Sequence, residues 1–102
     1  MKLIKFLILF LIFSNSLLSR EYIILQSTTS TANTGLLETL SDSFYKETGI
    51  EVRAISVGTG TAIQNAKRGD GDVLLVHSKS DEIEFVEEGY GVERFELMYN
   101  DF

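Results

Sequence analysis

The chain contains no cysteine. Disulfide stapling, thiol chemistry and anchoring through a lipidated amino-terminal cysteine are therefore excluded. Proline is absent too, so no proline-marked linker divides the sequence. The one histidine, His77, cannot assemble a zinc site alone. Basic residues are scarce, nine against fifteen acidic, for a net charge of −6 at pH 7. Such a surface repels nucleic acid and anionic lipid, so neither is expected as a partner. Any anion must be held by a local site, since no general positive field would draw it in.

A long hydrophobic run is also lacking. Phe6 to Phe13 is unbroken but far shorter than the roughly 20 residues a membrane span needs. Lys2 and Lys5 precede it, and the small residues Ser14, Ser16 and Ser19 follow. Basic start, short apolar segment and small-residue cleavage region make residues 1–19 a secretory signal peptide. Its removal takes away Lys2 and Lys5, leaving seven basic residues against fifteen acidic ones and a net charge of −8. The remaining 20–102 amounts to one small domain with a modest core, marginal alone.

Strand-like and helix-like segments alternate along that domain. Tyr22–Gln26 is a short isoleucine-rich run that predicts a buried strand. The hydroxyl-rich turn Ser27-Thr28-Thr29-Ser30-Thr31 follows. A helix is expected from about Asn33 or Thr34 to Thr48, with Leu36, Leu37, Leu40 and Phe44 on one face. Thr34 suits its start and Gly49 its stop. Ile50–Val57 alternates as a second strand, broken by Gly58-Thr59-Gly60-Thr61. A short helix to about Arg68 turns Ala62, Ile63 and Ala66 inward and closes at Gly69. Gly69-Asp70-Gly71-Asp72 reads as a turn. Val73–His77 is apolar enough to be a central strand of a parallel sheet. An acidic helix over Ser80–Glu88, with Ile83 and Val86 inward, and a last strand over Glu93–Tyr99 complete the pattern. The class is α/β, with a largely parallel sheet and flanking helices.

Two loops carry the chemistry. Each follows a strand, precedes a helix and is built of glycine and hydroxyl residues. Ligands of open parallel sheets sit beyond the carboxyl ends of the strands. Helices starting there present free N–H groups and partial positive charge. Ser27, Thr28, Thr29 and Ser30 would add hydroxyl donors from the first loop. From the second, Thr59 adds a hydroxyl while Gly58 and Gly60 let the backbone approach a ligand. Gly-Thr-Gly is no dinucleotide fingerprint, since Ile63 stands where a third glycine belongs, and no Gly-Lys-Ser/Thr follows for a phosphate loop. A hydroxyl run before a helix is more often a capped, solvated loop, so it is the joint placement that argues for a site.

Other features are weaker. His77 could line the same cleft, though a structural histidine is the commoner case. Asp70 and Asp72 lack the spacing of a calcium loop. Glu82, Glu84, Glu87 and Glu88 suit a solvated helix face. No nucleophile and base pair can be assembled, which disfavours an enzyme.

These residues resemble the tungstate-binding proteins of ATP-driven (ABC-type) uptake systems. The family's first turn, roughly Thr-Thr-Thr-Ser-Thr followed by Gly-Leu-Leu, is similar to Ser27-Thr28-Thr29-Ser30-Thr31 and Gly35-Leu36-Leu37. Its second loop resembles Val57-Gly58-Thr59-Gly60 with Ala62 following. Gly69-Asp70-Gly71-Asp72 through Leu75-Val76-His77 is similar to its third segment. Glu84, Phe85, Gly89, Gly91 and Arg94 fit the next, and Met98-Tyr99-Asn100-Asp101-Phe102 fits the crossover strand.

The resemblance implies the first lobe of a type II periplasmic-binding-protein fold. Residues 20–102 would be the amino-terminal part of a periplasmic solute-binding domain, with the second lobe, and its Ser-Arg-Gly-Asp anion motif, missing. Arg68-Gly69-Asp70 is not that motif, because it closes a helix before the crossover. The implied function is that of the extracytoplasmic solute-binding component of an ABC importer, a monomer without cofactor or metal that hands its anion to a membrane permease. Ser27, Thr28, Thr29, Gly58 and Thr59 would be the ligand-binding residues. Ser27 replaces a threonine of the family but keeps the hydroxyl. Tungstate, a full dianion, suits a site of donors alone. Phosphate, protonated near neutral pH, favours an added acceptor, and no aspartate lies in either loop. Phosphate or molybdate binding on the same fold, and an exported half-domain that binds nothing, are the alternatives. Lacking the second lobe, the chain is expected to bind anions weakly or not at all.

Overall fold

Three parallel strands in the order β2-β1-β3 organise the computed structural model, which describes residues 21–98. The leader expected over 1–19 and the end of the expected crossover strand lie outside the described residues. Strand β1 is Tyr22–Thr28, helix α1 Thr29–Asn33, helix α2 Leu36–Thr48 and strand β2 Glu51–Val57. Helix α3 is Thr59–Lys67, strand β3 Val73–Leu74 and helix α4 Lys79–Glu87.

The β1–β2 ladder runs in register from Tyr22 opposite Glu51 to Thr28 opposite Val57. On the other side Leu25 faces Val73 and Gln26 faces Leu74. Strand β1 is therefore central, and its last four residues are buried. The chain leaves β1 for β2 and returns past it to β3. Strand order reverses at β1, which is where an open parallel sheet forms its crevice.

Helix α3 packs against all three strands. It buries Ala62 completely and Ile63 nearly so. Helix α2 packs on β2 and buries Leu37, while Leu40 stays 41% exposed. Gly49 ends α2 at φ 73°, and its N–H bonds the Tyr45 carbonyl at 2.8 Å. That left-handed turn is the stop glycine allows at no steric cost. Gly35 occupies the start, with Thr34 Oγ1 accepting the Leu36 N–H at 3.3 Å one residue ahead.

Four expectations change. The turn after β1 contains a helical turn, α1, because Thr28 caps it through its side chain. Val73–His77 shrinks to a two-residue strand at the edge of the described sheet, not its centre. Apolar composition alone cannot tell a central strand from an edge, and only Gln26 and its neighbours offer Val73–Leu74 a partner. Residues 93–98 form no strand, since no described neighbour offers them a ladder, and Phe95, Leu97 and Met98 are exposed. On α4 the inward residue is Phe85, with Ile83 38% exposed. Phe85 stacks at 5.8 Å on Tyr90, and Gly91 lies so close that an added Cβ would sit 2.9 Å from its ring.

The Asp70–Asp72 loop is a structural clamp on β1. Asp72 Oδ2 accepts the Ile24 N–H at 2.8 Å, and Asp72 N–H returns a bond to the Ile24 carbonyl at 2.8 Å. The buried Gln26 amide donates to the Asp70 carbonyl at 2.8 Å and accepts from Asn65 Nδ2 at 3.1 Å. Glu82 is no mere solvated carboxylate. It accepts the Ser78 N–H at 2.9 Å and pairs with Arg94 Nε at 3.2 Å.

Candidate functional site

The first candidate loop begins where β1 is most buried. Ser27 is 0% exposed, and its hydroxyl donates to the Leu75 carbonyl at 2.7 Å. Leu75 N–H in turn bonds the Gln26 carbonyl at 2.9 Å, so the segment after β3 is stitched to the end of β1. Thr28, 2% exposed, is the cap of α1, and its Oγ1 accepts the Thr31 N–H at 3.2 Å. The same oxygen lies 2.8 Å from Thr31 Oγ1 and 3.2 Å from Ser30 Oγ. Thr29 points to solvent with no hydrogen bond from its hydroxyl among the described residues. Ser30 Oγ meets His77 Nε2 at 3.1 Å.

The second loop lies beside the first. Thr28 and Val57 are opposite residues of the ladder, so Thr29 and Gly58 follow neighbouring strand ends, about 4.8 Å apart in the sheet. Gly58 precedes α3 at φ −67° and ψ 155°, and no side chain caps the helix. The first intrahelical bond runs from Ala62 N–H to the Gly58 carbonyl at 2.9 Å. The N–H groups of Thr59, Gly60 and Thr61 precede it and have no partner within the helix. No acidic side chain stands in that first turn. A Cβ at Gly58 or Gly60 would meet nothing within 4 Å, so packing inside the described chain does not require glycine there.

Of the five residues singled out by sequence, the fold brings all to the carboxyl ends of β1 and β2. Their hydroxyls are not equivalent. Those of Thr29 and Thr59 have no hydrogen-bond partner among the described residues, whereas those of Ser27 and Thr28 already serve the fold. To donate to an anion, Ser27 would have to release the Leu75 carbonyl. Ser30, a candidate donor, and His77, a candidate cleft residue, are not among those five, and they meet here from 47 positions apart. Only the shared carboxyl-terminal position of their loops hinted at this.

The perturbed carboxylates lie elsewhere. Glu84 is pushed up chiefly by its hydrogen bond with Glu88, one helical turn on. Lys79, then Arg94, hold Glu96 below the usual carboxylate range. Among the described residues no group of three or more His, Asp or Glu side chains converges as a metal site would.

Comparison with known proteins identifies the family. The pattern of the PBP superfamily domain matches residues 18–102. The tungstate-binding protein TupA of Peptoclostridium acidaminophilum is 58% identical over 80 residues, covering 78% of this chain and 28% of that protein. Among solved structures, the tungstate-binding protein TupA of Desulfovibrio alaskensis G20 superposes with a TM-score of 0.77 at 48% identity, over 79% of this chain and 32% of that one. The tungstate ABC transporter structure from Geobacter sulfurreducens gives 0.75 at 43% identity, over 79% and 35%. The chain thus spans about a third or less of the length of these relatives.

Proposed function

The chain belongs to the PBP superfamily domain family, and on that premise we propose that it serves in binding tungstate for an ABC importer. It would supply the first-lobe wall of an oxyanion site, exported to the periplasm and presented to a membrane permease, with a binding and not a catalytic role. What supports this most is the pairing of two donor-rich loops at adjacent strand ends, together with tungstate-binding relatives at this level of identity.

The division of labour follows from the hydrogen bonds. Thr29 and Thr59 offer hydroxyls, and the uncapped start of α3 offers N–H groups and the positive end of its dipole. Gly58 and Gly60 leave that backbone bare for close approach. Ser27 shapes the loop and joins as a donor only by giving up the Leu75 carbonyl, while Thr28 accepts the Thr31 N–H and lies within hydrogen-bond reach of the Thr31 and Ser30 hydroxyls. No carboxylate stands in either loop to accept a proton, which favours a full dianion over hydrogen phosphate. The relatives' greater length leaves room for further donors from a second lobe.

Thr29→Ala is the cleanest test, because Thr28→Ala would also remove the α1 cap. A hydrogen bond to a charged partner is worth about 1.5–3 kcal/mol, so tungstate affinity should fall at least about tenfold with stability unchanged. Titration with tungstate, molybdate, sulfate and phosphate reads both strength and order of preference. Equal affinity of the variant and the parent would remove Thr29 from the site. A preference for phosphate would overturn the choice of anion.

A further inference from the structure

The hydrogen bond between Ser30 and His77 belongs to none of the ladders, caps or stitches that build the fold. Ser30 Oγ and His77 Nε2 lie 3.1 Å apart, and both residues are exposed at the strand ends where the proposed anion would sit. A serine hydroxyl has one proton and two lone pairs, and an imidazole nitrogen either donates or accepts. If Nε2 accepts, the Ser30 proton is spent on the ring. Ser30 then shows an oxyanion only lone pairs, which repel it. If Nε2 carries a proton, Ser30 Oγ accepts from the ring and its own proton is free.

Thr28 is the other neighbour of Ser30 Oγ, at 3.2 Å. It has a closer hydroxyl partner in Thr31 at 2.8 Å and already accepts the Thr31 N–H. It therefore does not need the Ser30 proton. The backbone leading to the ring is also held. Ser27 fixes the Leu75 carbonyl, two residues before His77, to the end of β1. Imidazole and hydroxyl are thus delivered to each other by a stitch independent of the bond they form.

We infer that His77 is a positioning residue of the anion site: its Nε2–H donates to Ser30 Oγ and so turns the Ser30 hydroxyl proton outward, making Ser30 a donor to the bound oxyanion. The inference rests on the oxyanion reading above. Either a neutral ring with its proton on Nε2 or an imidazolium performs the task.

The test uses the full chain with nitrogen-15-labelled histidine and backbone. Long-range proton–nitrogen correlations show whether Nε2 is protonated, and tungstate is then added. The expected result is a protonated Nε2 whose resonance moves with tungstate, together with the amides of Thr29, Ser30, Gly58 and Thr59. H77F should weaken tungstate binding about tenfold, the lower end for one hydrogen bond to a charged group. H77Q, whose amide can donate from nearly the same place, should restore most of it. In an S30A background, H77F should cost nothing further. An unprotonated Nε2 in the tungstate-bound chain overturns the inference without any variant being made. So does an undiminished cost of H77F in S30A. If those amides do not move even at tungstate concentrations high enough to fill a weak, one-lobed site, the site reading itself fails and takes this inference with it. If they move while Nε2 is bare, the inference alone falls.

Discussion

Ser27→Ala separates a hydroxyl that builds the site from one that binds in it. Ser27 is fully buried, and its proton goes to the Leu75 carbonyl at 2.7 Å. Alanine removes the donor and leaves that carbonyl short of one bond. The lost hydrogen bond is worth about 0.5–1.5 kcal/mol, and an unsatisfied buried group costs about 1–3 kcal/mol. Leu75 is only half-buried, so water can reach its carbonyl in part and the cost should settle near 1–2 kcal/mol. For a domain of this size, each 1 kcal/mol moves the melting midpoint by about 4–8 °C. The assay is thermal unfolding of the full chain followed by circular dichroism, with S27A beside S27T. The threonine keeps the hydroxyl and should hold the stability. Should S27A melt within a degree of the parent while losing tungstate, the stitch is dispensable and Ser27 is a direct ligand. That result would refute the assignment of its hydroxyl to Leu75.

Gly71→Ala should destabilise the fold by about 1–3 kcal/mol, since its Cβ would come 2.7 Å from Gln26 Cγ in the clamp on β1; urea unfolding with an unchanged midpoint would discount the clamp. Gly60→Ala should leave folding unharmed or raise stability by up to about 1 kcal/mol, because the position is helical and open, yet it should weaken tungstate binding. A stable variant with full affinity would show that bare backbone is not needed there. Glu96, held low by Lys79 and then Arg94, favours the folded state above the ordinary carboxylate range and loses that contribution as pH falls through its lowered value. Backbone amide resonances over 94–98 should therefore show a titration step below the ordinary carboxylate range that E96Q removes; an equal step in E96Q would put the effect on another group.

What the sequence made legible is what local periodicity and end signals determine. The spacing of Leu36, Leu37 and Phe44, with Gly49 behind them, specifies α2 because a helix face and its stop are local matters. Alternation in Ile50–Val57 likewise specifies β2 to within a residue. Strand partners are not local. The length and edge position of β3 depend on what Gln26 and Leu25 can pair with, and Phe95–Leu97 has no strand partner among the described residues, whatever its strand propensity. The site divides the same way. That hydroxyl and glycine loops would gather at the strand ends followed from the α/β pattern alone. That Ser27 would spend its hydroxyl on the fold did not follow, because Leu75 lies 48 positions from it and no spacing rule connects them, whereas the Thr28 cap on Thr31 is local. The same long closure sets His77 against Ser30. A run of hydroxyls thus announces donors in number, while the tertiary contacts decide which protons remain to give. For Ser27–Ser30 they give Thr29 no partner among the described residues, commit the Ser27 proton to Leu75, set Thr28 among neighbouring hydroxyls, and make Ser30 conditional on its histidine.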